Sequence, residues 1–373
     1  VVVFITCSYN IEIEDEKEMF MLTALIMAGG SGERFWPLST KNRPKQLLKL
    51  VDDKSMIRKT VERILPMIPK ERIFIGTNAI QAPLIAAELP EIPEENIIIE
   101  PSFKDTAAAV GFGAYYISER VPNSTLVVLA SDHIIKNEEN FRKRLETAVK
   151  EAEDGSIVTL GIKPNKPETG YGYIETESCY IGEASPVIRF WEKPSLERAE
   201  EYVANGNYLW NSGMFIFEIS TIKKALQEFL PGHFRVLESM KNEVSEFSGI
   251  ALCNHVKDKF EIFRKISIDF GIMEKAKNIK VIPVDFGWND VGSFPALDDI
   301  YPHLENGDVV RNCQTFSYNS KNNIIVVDEK IIGKKIVLLG IEDMVVVDRG
   351  DALLITKKDE NQNIKKVLDR VLE

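Results

Sequence analysis

Short apolar runs alternate with amphipathic stretches through the first half of the chain. Leu22 to Met27 is an apolar run that ends in Ala28-Gly29-Gly30, which predicts a buried strand entering a tight loop. Arg72 to Thr77, Asn96 to Glu100, Thr125 to Ser131 and Ser156 to Ile162 repeat the pattern and predict further strands. Between them lie the amphipathic stretches Ser55 to Leu65, Thr106 to Arg120 and Glu139 to Glu153. Strands separated by helices imply parallel neighbours joined by crossovers, hence a doubly wound α/β sheet covered on both faces.

From Tyr171 the pattern becomes mixed. Short strands are predicted at Tyr173 to Glu175, Val187 to Glu192 and Met214 to Glu218 around a helix at Leu196 to Ala204, an antiparallel insertion of the kind that builds a ligand lid. After about Ser293 the texture changes again. Thr315 to Tyr318, Asn323 to Val327, Lys335 to Leu339, Asp343 to Asp348 and Ala352 to Thr356 are evenly spaced β runs, and Ile364 to Leu372 has apolar residues at helical spacing. The expected division is an extension outside the fold over residues 1 to 20, a main domain over 21 to 295, and a small all-β domain with a closing helix over 296 to 373.

With 373 residues, 44% of them hydrophobic, the chain can bury a substantial core. A formal net charge of -11 argues against a nucleic-acid partner, which would need a basic face, so any bound phosphate has to be held by a local cluster. The opening VVVFITC is too short to span a membrane and runs into the acidic stretch Glu12 to Glu18, so no membrane partner is expected. Cys7, Cys179, Cys253 and Cys313 lack disulfide-framework or zinc spacing, which makes a reducing, cytoplasmic setting the expectation.

The strongest local signal is LIMAGGSGERFWPLSTKNRPKQ. Gly29, Gly30 and Gly32 at a strand end let backbone N–H groups approach an anion such as a triphosphate. The order is neither a dinucleotide fingerprint, since Phe35 occupies the last glycine position counted from Gly30, nor a P-loop, since no Gly-Lys-Ser/Thr follows. Arg34, Arg43 and Lys45 add positive charge, the arginines suited to bidentate grip and the lysine to a point contact.

Two carboxylates stand out further on. Asp132 follows the strand Thr125 to Ser131, at the carboxyl end where open α/β sheets bind ligands. Asp290 lies in Trp288-Asn289-Asp290-Val291-Gly292 after the strand Lys280 to Val284. Together with phosphate oxygens they would form a hard-oxygen site suited to Mg2+. His133 reads as structural. Three more segments set polar groups among glycines or aromatics: Glu168 to Tyr173 with bare backbone at Gly170 and Gly172, Trp191-Glu192-Lys193-Pro194, and Trp210-Asn211-Ser212-Gly213.

AGGSGERFWPLS followed by RPKQ resembles the opening of the sugar-nucleotide pyrophosphorylases, and its Phe-Trp-Pro-Leu-Ser and Pro-Lys-Gln forms are similar to the mannose-1-phosphate guanylyltransferase branch of that family. LASDH and WNDVGS look like the family's metal-binding segments, and ETGYGYIE, FWEKP and LWNSGMF like its sugar-phosphate segments. The resemblance covers residues 22 to 295 strongly and the β domain in texture alone. It implies a Rossmann-like, GT-A-like mixed and mainly parallel sheet, with a small β-helix-like domain behind it. It implies GTP and mannose 1-phosphate as substrates, with Mg2+ held by Asp132 and Asp290. Nucleotide contacts fall on Ala28, Gly29, Gly30, Gly32, Arg34, Lys45, Glu100, Thr106 and Asp132, with Arg34 on the departing pyrophosphate and Lys45 on the α-phosphate; Arg34, Lys45 and Asp132 are the catalytic set. Gly172, Glu192 and Asn211 fall on the sugar and Lys193 on its phosphate. Lys104 and Asp105 depart from the family's Arg-Asn in Glu-Pro-x-x-Arg-Asn-Thr-Ala, which leaves base contacts or loop geometry there open. No residue reads a base by a physical argument, so uridylyl, adenylyl or thymidylyl transfer, glucose 1-phosphate as acceptor, and a non-catalytic nucleotide-sugar sensor stay as alternatives. The residues after Ser293 are too few for an added isomerase module. The residues do not fix an oligomeric state, and a homodimer through the β domain is compatible with them.

Overall fold

The structure, a computed structural model, describes residues 21–30 and 32–371; the expected extension over residues 1 to 20 lies outside them. The first strands are β1 (Leu22–Met27), β2 (Ile73–Asn78), β3 (Ile97–Glu100), β4 (Thr125–Ala130), β5 (Ile134–Ile135) and β6 (Ile157–Ile162). They are followed by β7 (Tyr173–Thr176), β8 (Ser185–Trp191), β9 (Tyr208–Glu218), β10 (Ile279–Val284) and β11 (Trp288–Asn289). Nine of these form one sheet in the order β3-β2-β1-β4-β9-β6-β10-β8-β7. The β3-β2-β1-β4 part is parallel, as buried apolar runs joined by helices require. Strand β9 enters antiparallel between β4 and β6, and also pairs with β7.

The two faces carry separate cores. Leu25, Phe74 and Leu126 face the helix Thr106–Arg120, while Ala24, Ile26, Val127 and Leu129 face the helices Met56–Ile64 and Glu138–Ala152. Alternate residues of one strand thus serve opposite layers. The segment expected as a lid is part of this sheet: β9 runs unbroken from Tyr208, and the bulge between Thr159 and Gly161 of β6 accommodates it. Space decides that glycine, since a Cβ on Gly161 would meet Val281 and Leu209 at 2.6 and 2.7 Å.

The β region holds β12 (Val309–Arg311), β13 (Gln314–Tyr318), β14 (Ile324–Val327), β15 (Lys335–Leu339), β16 (Met344–Asp348) and β17 (Leu353–Lys357), closed by the helix Lys365–Val371. Successive turns of chain stack in parallel, β12 on β14 on β16 and β13 on β15, which makes a β-helix. Its corners use Asn312, Asn319, Asn322 and Asp343 at positive φ, the residue types that best tolerate left-handed backbone. Ile324, Val326, Val345 and Val347 pack with Phe35, Leu38, Leu48 and Leu50, so the chain that follows the glycine loop is sandwiched between sheet and β-helix.

Candidate active site

The glycine loop leaves β1 pinned from below. The Ala28 carbonyl accepts from Gln46 Nε2 at 2.7 Å and Thr77 Oγ1 at 3.1 Å, and the Gly30 carbonyl accepts from Gln81 Nε2 at 3.1 Å. Gly32 has φ 65°, and a Cβ there would lie 2.5 Å from the Cβ of Lys45. Only glycine lets the loop close on the lysine. Gly29 and Gly30 line a cavity of about 510 Å³ together with Glu100, Phe103 and Thr106. With no cationic neighbour to offset its burial, the Glu100 carboxyl is pushed up to about 8.

Lys45 is buried, and its Nζ donates to Asp132 Oδ2 at 2.7 Å and to the Asp290 carbonyl at 2.8 Å. Topology explains why residues so distant in sequence meet. Strand β5 follows Asp132 directly and pairs antiparallel with β11, which brings Asp290, the residue after β11, back toward Asp132. Asp290 Oδ1 accepts from Tyr171 Oη at 2.7 Å and from the Gly292 N–H at 3.0 Å. Arg34 Nη1 reaches the Gly292 carbonyl at 3.4 Å, so it stands at the edge of the same cluster. Burial raises the Asp132 pKa, but the Lys45 ammonium and its hydrogen bond outweigh that and hold it below the usual carboxylate range. Burial lowers the His133 pKa, and its Nδ1 accepts from Trp288 Nε1 at 3.1 Å.

A second cavity, of about 310 Å³, shares Thr106 and Met27 with the first and reaches Asp290. Gly172, Glu192, Lys193 and Asn211 line it. A Cβ on Gly172 would lie 2.8 Å from Glu192 Oε2, so the bare backbone is what admits that carboxylate. Lys193 sits at φ 40° with its ammonium 3.2 Å from Glu192. Sequence reasoning missed Asp269, which lines this cavity and accepts from Asn211 Nδ2 at 2.7 Å; an acidic residue within the otherwise apolar Ile268 to Met273 was its only signal. It also gave no role to Tyr171, Gln46 or Gln81.

Arg43 needs correction as a phosphate-directed cation: it pairs with Asp328 and Glu329 of the β-helix. Proline between Arg43 and Lys45 separates the two directions. The departures at Lys104 and Asp105 both find partners within the fold, and Asp105 also lines the cavity beside the glycine loop. Lys104 Nζ pairs with Glu261 Oε2 at 2.7 Å, and Asp105, at φ 69°, caps the helix Thr106–Arg120 by accepting from the Thr106 N–H at 2.8 Å.

Among the described residues no group of three or more His, Cys, Asp or Glu gathers into a self-sufficient metal site. Asp132 Oδ1 and Asp290 Oδ2 nevertheless have no hydrogen bond to another described residue. Two hard oxygens with free capacity fit a divalent cation that takes its remaining ligands from water and substrate.

A glycine loop at a strand end, a lysine that joins the Asp132 carboxylate to the Asp290 backbone carbonyl and two adjoining cavities on a mixed α/β sheet fit a nucleotide-transferring enzyme. Residues 23–307 match the nucleotidyl transferase family model, and residues 315–371 match that of the mannose-phosphate isomerase and GMP-like β-helix domain. The chain belongs to the nucleotidyl transferase family, whose members use a divalent metal. It is 36% identical over 354 residues to a mannose-1-phosphate guanylyltransferase of Klebsiella pneumoniae, covering 94% of this chain and 74% of that one. It is likewise 36% identical over 355 residues to the Salmonella muenchen enzyme of the same name, covering 94% and 73%. A crystal structure from Thermus thermophilus titled mannose-1-phosphate geranyltransferase superimposes with a TM-score of 0.82 at 32% identity, over 95% of this chain and all of that one. The chain spans about three quarters of the length of these curated relatives.

Proposed function

We propose that this protein joins GTP to α-D-mannose 1-phosphate, giving GDP-mannose and pyrophosphate. The observation that carries the reading is the Lys45 ammonium bound to the Asp132 carboxylate and the Asp290 carbonyl, with Asp290 lining the cavity of Glu192 and Asn211, which in turn shares Met27 and Thr106 with the cavity beside the glycine loop. The guanylyltransferase relatives supply the identity of the two substrates.

The nucleotide lies along Ala28, Gly29, Gly30 and Gly32, with its base in the cavity of Glu100 and Thr106. A sugar-phosphate oxygen attacks the α-phosphorus in line, the bond from the α-phosphorus to the bridging oxygen breaks, and pyrophosphate leaves with the electron pair. The attacking phosphate is already a dianion near neutrality, so no general base is needed and the work is positioning and charge neutralisation. Lys45 holds the α-phosphate, Arg34 the departing pyrophosphate and Lys193 the sugar phosphate. Gly172, Glu192 and Asn211 hold the sugar. Mg2+, carried by Asp132 and Asp290 when bound, supplies charge neutralisation between the two anionic substrates.

The test offers GTP, UTP, ATP and dTTP, each with mannose 1-phosphate or glucose 1-phosphate, and follows pyrophosphate release in Mg2+. GTP with mannose 1-phosphate is expected to be the fastest pair. No release from any pair returns the protein to the sensor reading, and a faster UTP, ATP or dTTP pair overturns the nucleotide assignment.

A further inference from the structure

We infer that Asp269 is a specificity-determining residue that accepts a hydrogen bond from one ring hydroxyl of the sugar. The inference rests on the sugar 1-phosphate reading above and deepens it.

Asp269 opens a π-helical turn, Asp269–Met273, whose widened hydrogen bond runs from the Glu274 N–H to the Asp269 carbonyl at 2.9 Å. Such turns concentrate at functional sites because they re-aim a side chain at little cost to the rest of the helix. The segment before it is laced to the start of the helix Thr106–Arg120: the Ile266 N–H donates to the Lys104 carbonyl, the Ala107 N–H to the Ile266 carbonyl, and the Ile268 N–H to Thr106 Oγ1 at 2.8 Å. Ile268, Ile272 and Met273 are buried in the core beneath. The carboxylate is therefore held by a rigid frame at the wall of the cavity that Gly172, Glu192 and Asn211 line.

Hydrogen-bond accounting then restricts what it does. Asn211 Oδ1 accepts from the Gly213 N–H at 3.0 Å, which fixes the amide so that Nδ2 faces Asp269 Oδ1 at 2.7 Å. The other oxygen, Oδ2, has no hydrogen bond to another described residue. Burial raises the Asp269 pKa and the nearby Glu192 adds to this, while Asn211 opposes it, the balance expected of a carboxylate withdrawn from water beside a second acid. The carboxylates of Asp269 and Glu192 give the wall its acceptors, since the Asn211 oxygen is already engaged, and a polyol presents the donors that such a wall needs. A charge-assisted hydrogen bond in a withdrawn site changes affinity by about tenfold or more.

Steady-state kinetics on Asp269→Asn, with mannose 1-phosphate and with analogues each lacking one ring hydroxyl, test this. The variant is expected to raise the KM for mannose 1-phosphate at least about tenfold and to leave the KM for GTP within about twofold. One deoxy analogue, penalised in the natural protein, is expected to lose its penalty in the variant. A merely structural role would shift every analogue alike, so unchanged relative penalties, or an unchanged KM for mannose 1-phosphate, overturn the inference. Should Asp269→Asn fold poorly, Asp269→Glu, which keeps the acceptor but moves it, serves the same comparison. Inactivity of the natural protein on both substrates is a separate result that sinks the proposed function instead.

Discussion

Two carboxylate clusters, one partly exposed at the end of the sheet and one buried in the β-helix, differ in how completely they are satisfied. Asp308 of the β-helix is fully buried and uses both oxygens: Oδ1 accepts from the Asn323 N–H and Nδ2 at 2.8 and 3.0 Å, Oδ2 from Asn306 Nδ2 and Ser317 Oγ at 2.6 and 3.1 Å. Asp132 and Asp290 each have one oxygen engaged and one idle among the described residues. A saturated network holds a coil of backbone in place, whereas idle acceptors beside a cation are capacity kept for something that arrives later.

The same substitution in each cluster separates these roles. Asp132→Asn removes a charge from the proposed reacting centre and is expected to lower kcat by about 10³-fold while changing unfolding free energy by no more than about 1 kcal/mol. Pyrophosphate release and urea unfolding measured on one preparation check both halves. If the variant keeps most of its activity at ordinary Mg2+, Asp132 leaves the mechanism and the contrast collapses.

Asp308→Asn has the opposite profile. An amide has a single acceptor atom, so one pair of donors, on Asn323 or on Asn306 and Ser317, faces an NH2 group. The expected cost is about 2–3 kcal/mol of unfolding free energy, read by urea unfolding, with near-normal kcat per folded molecule. Activity lost without any loss of stability would mean that the β-helix cluster works on the chemistry.

Arg43 lies between the two regions, and its effect is expected to be smaller. Arg43→Ala leaves the buried Asp328 without its guanidinium and should cost about 1–2 kcal/mol, less than Asp308→Asn because Arg43 is partly exposed and water reaches the site. Denaturant unfolding reads the loss. Arg43→Lys restoring stability in full would show that charge alone, and not the forked contact to Asp328 and Glu329, joins the sheet to the β-helix.

These three positions also show what the sequence made legible. The apolar run Leu22 to Met27 gave β1 to the residue, and the bounds of the helix Thr106–Arg120 were legible too, although it is buried without a break from Ala107 to Ile117 and is not the amphipathic helix expected. Asp132 and Asp290 stood out because each follows a strand in a recognisable segment. Arg43 misled because local charge says nothing about which way a side chain points across a proline. Four helices between Ile219 and Glu261 went unread, as did strand β12, whose partner β14 lies a whole coil further on. Asp269 escaped because its meaning lies in the fixed amide of Asn211, a contact made only after folding.

Glu100 is a third kind of carboxylate, and its effect is confined to a pH dependence. It lines the cavity beside Gly29 and has neither the saturated partners of Asp308 nor the lysine of Asp132. Burial lifts its pKa from an ordinary 4.5 to about 8 in the folded protein. Between those values the unfolded chain has released a proton that the folded chain keeps, so the term from Glu100 lowers stability as pH rises from about 4.5 to about 8 and is constant above that. Glu100→Gln removes the ionisation and is expected to flatten this decline, so the variant gains stability relative to the natural protein as pH approaches 8 and not at pH 4. Thermal unfolding of both proteins across that range, without nucleotide, measures the difference. Parallel curves would mean that Glu100 ionises as freely folded as unfolded, and the cavity beside the glycine loop would then be as wet as bulk solvent.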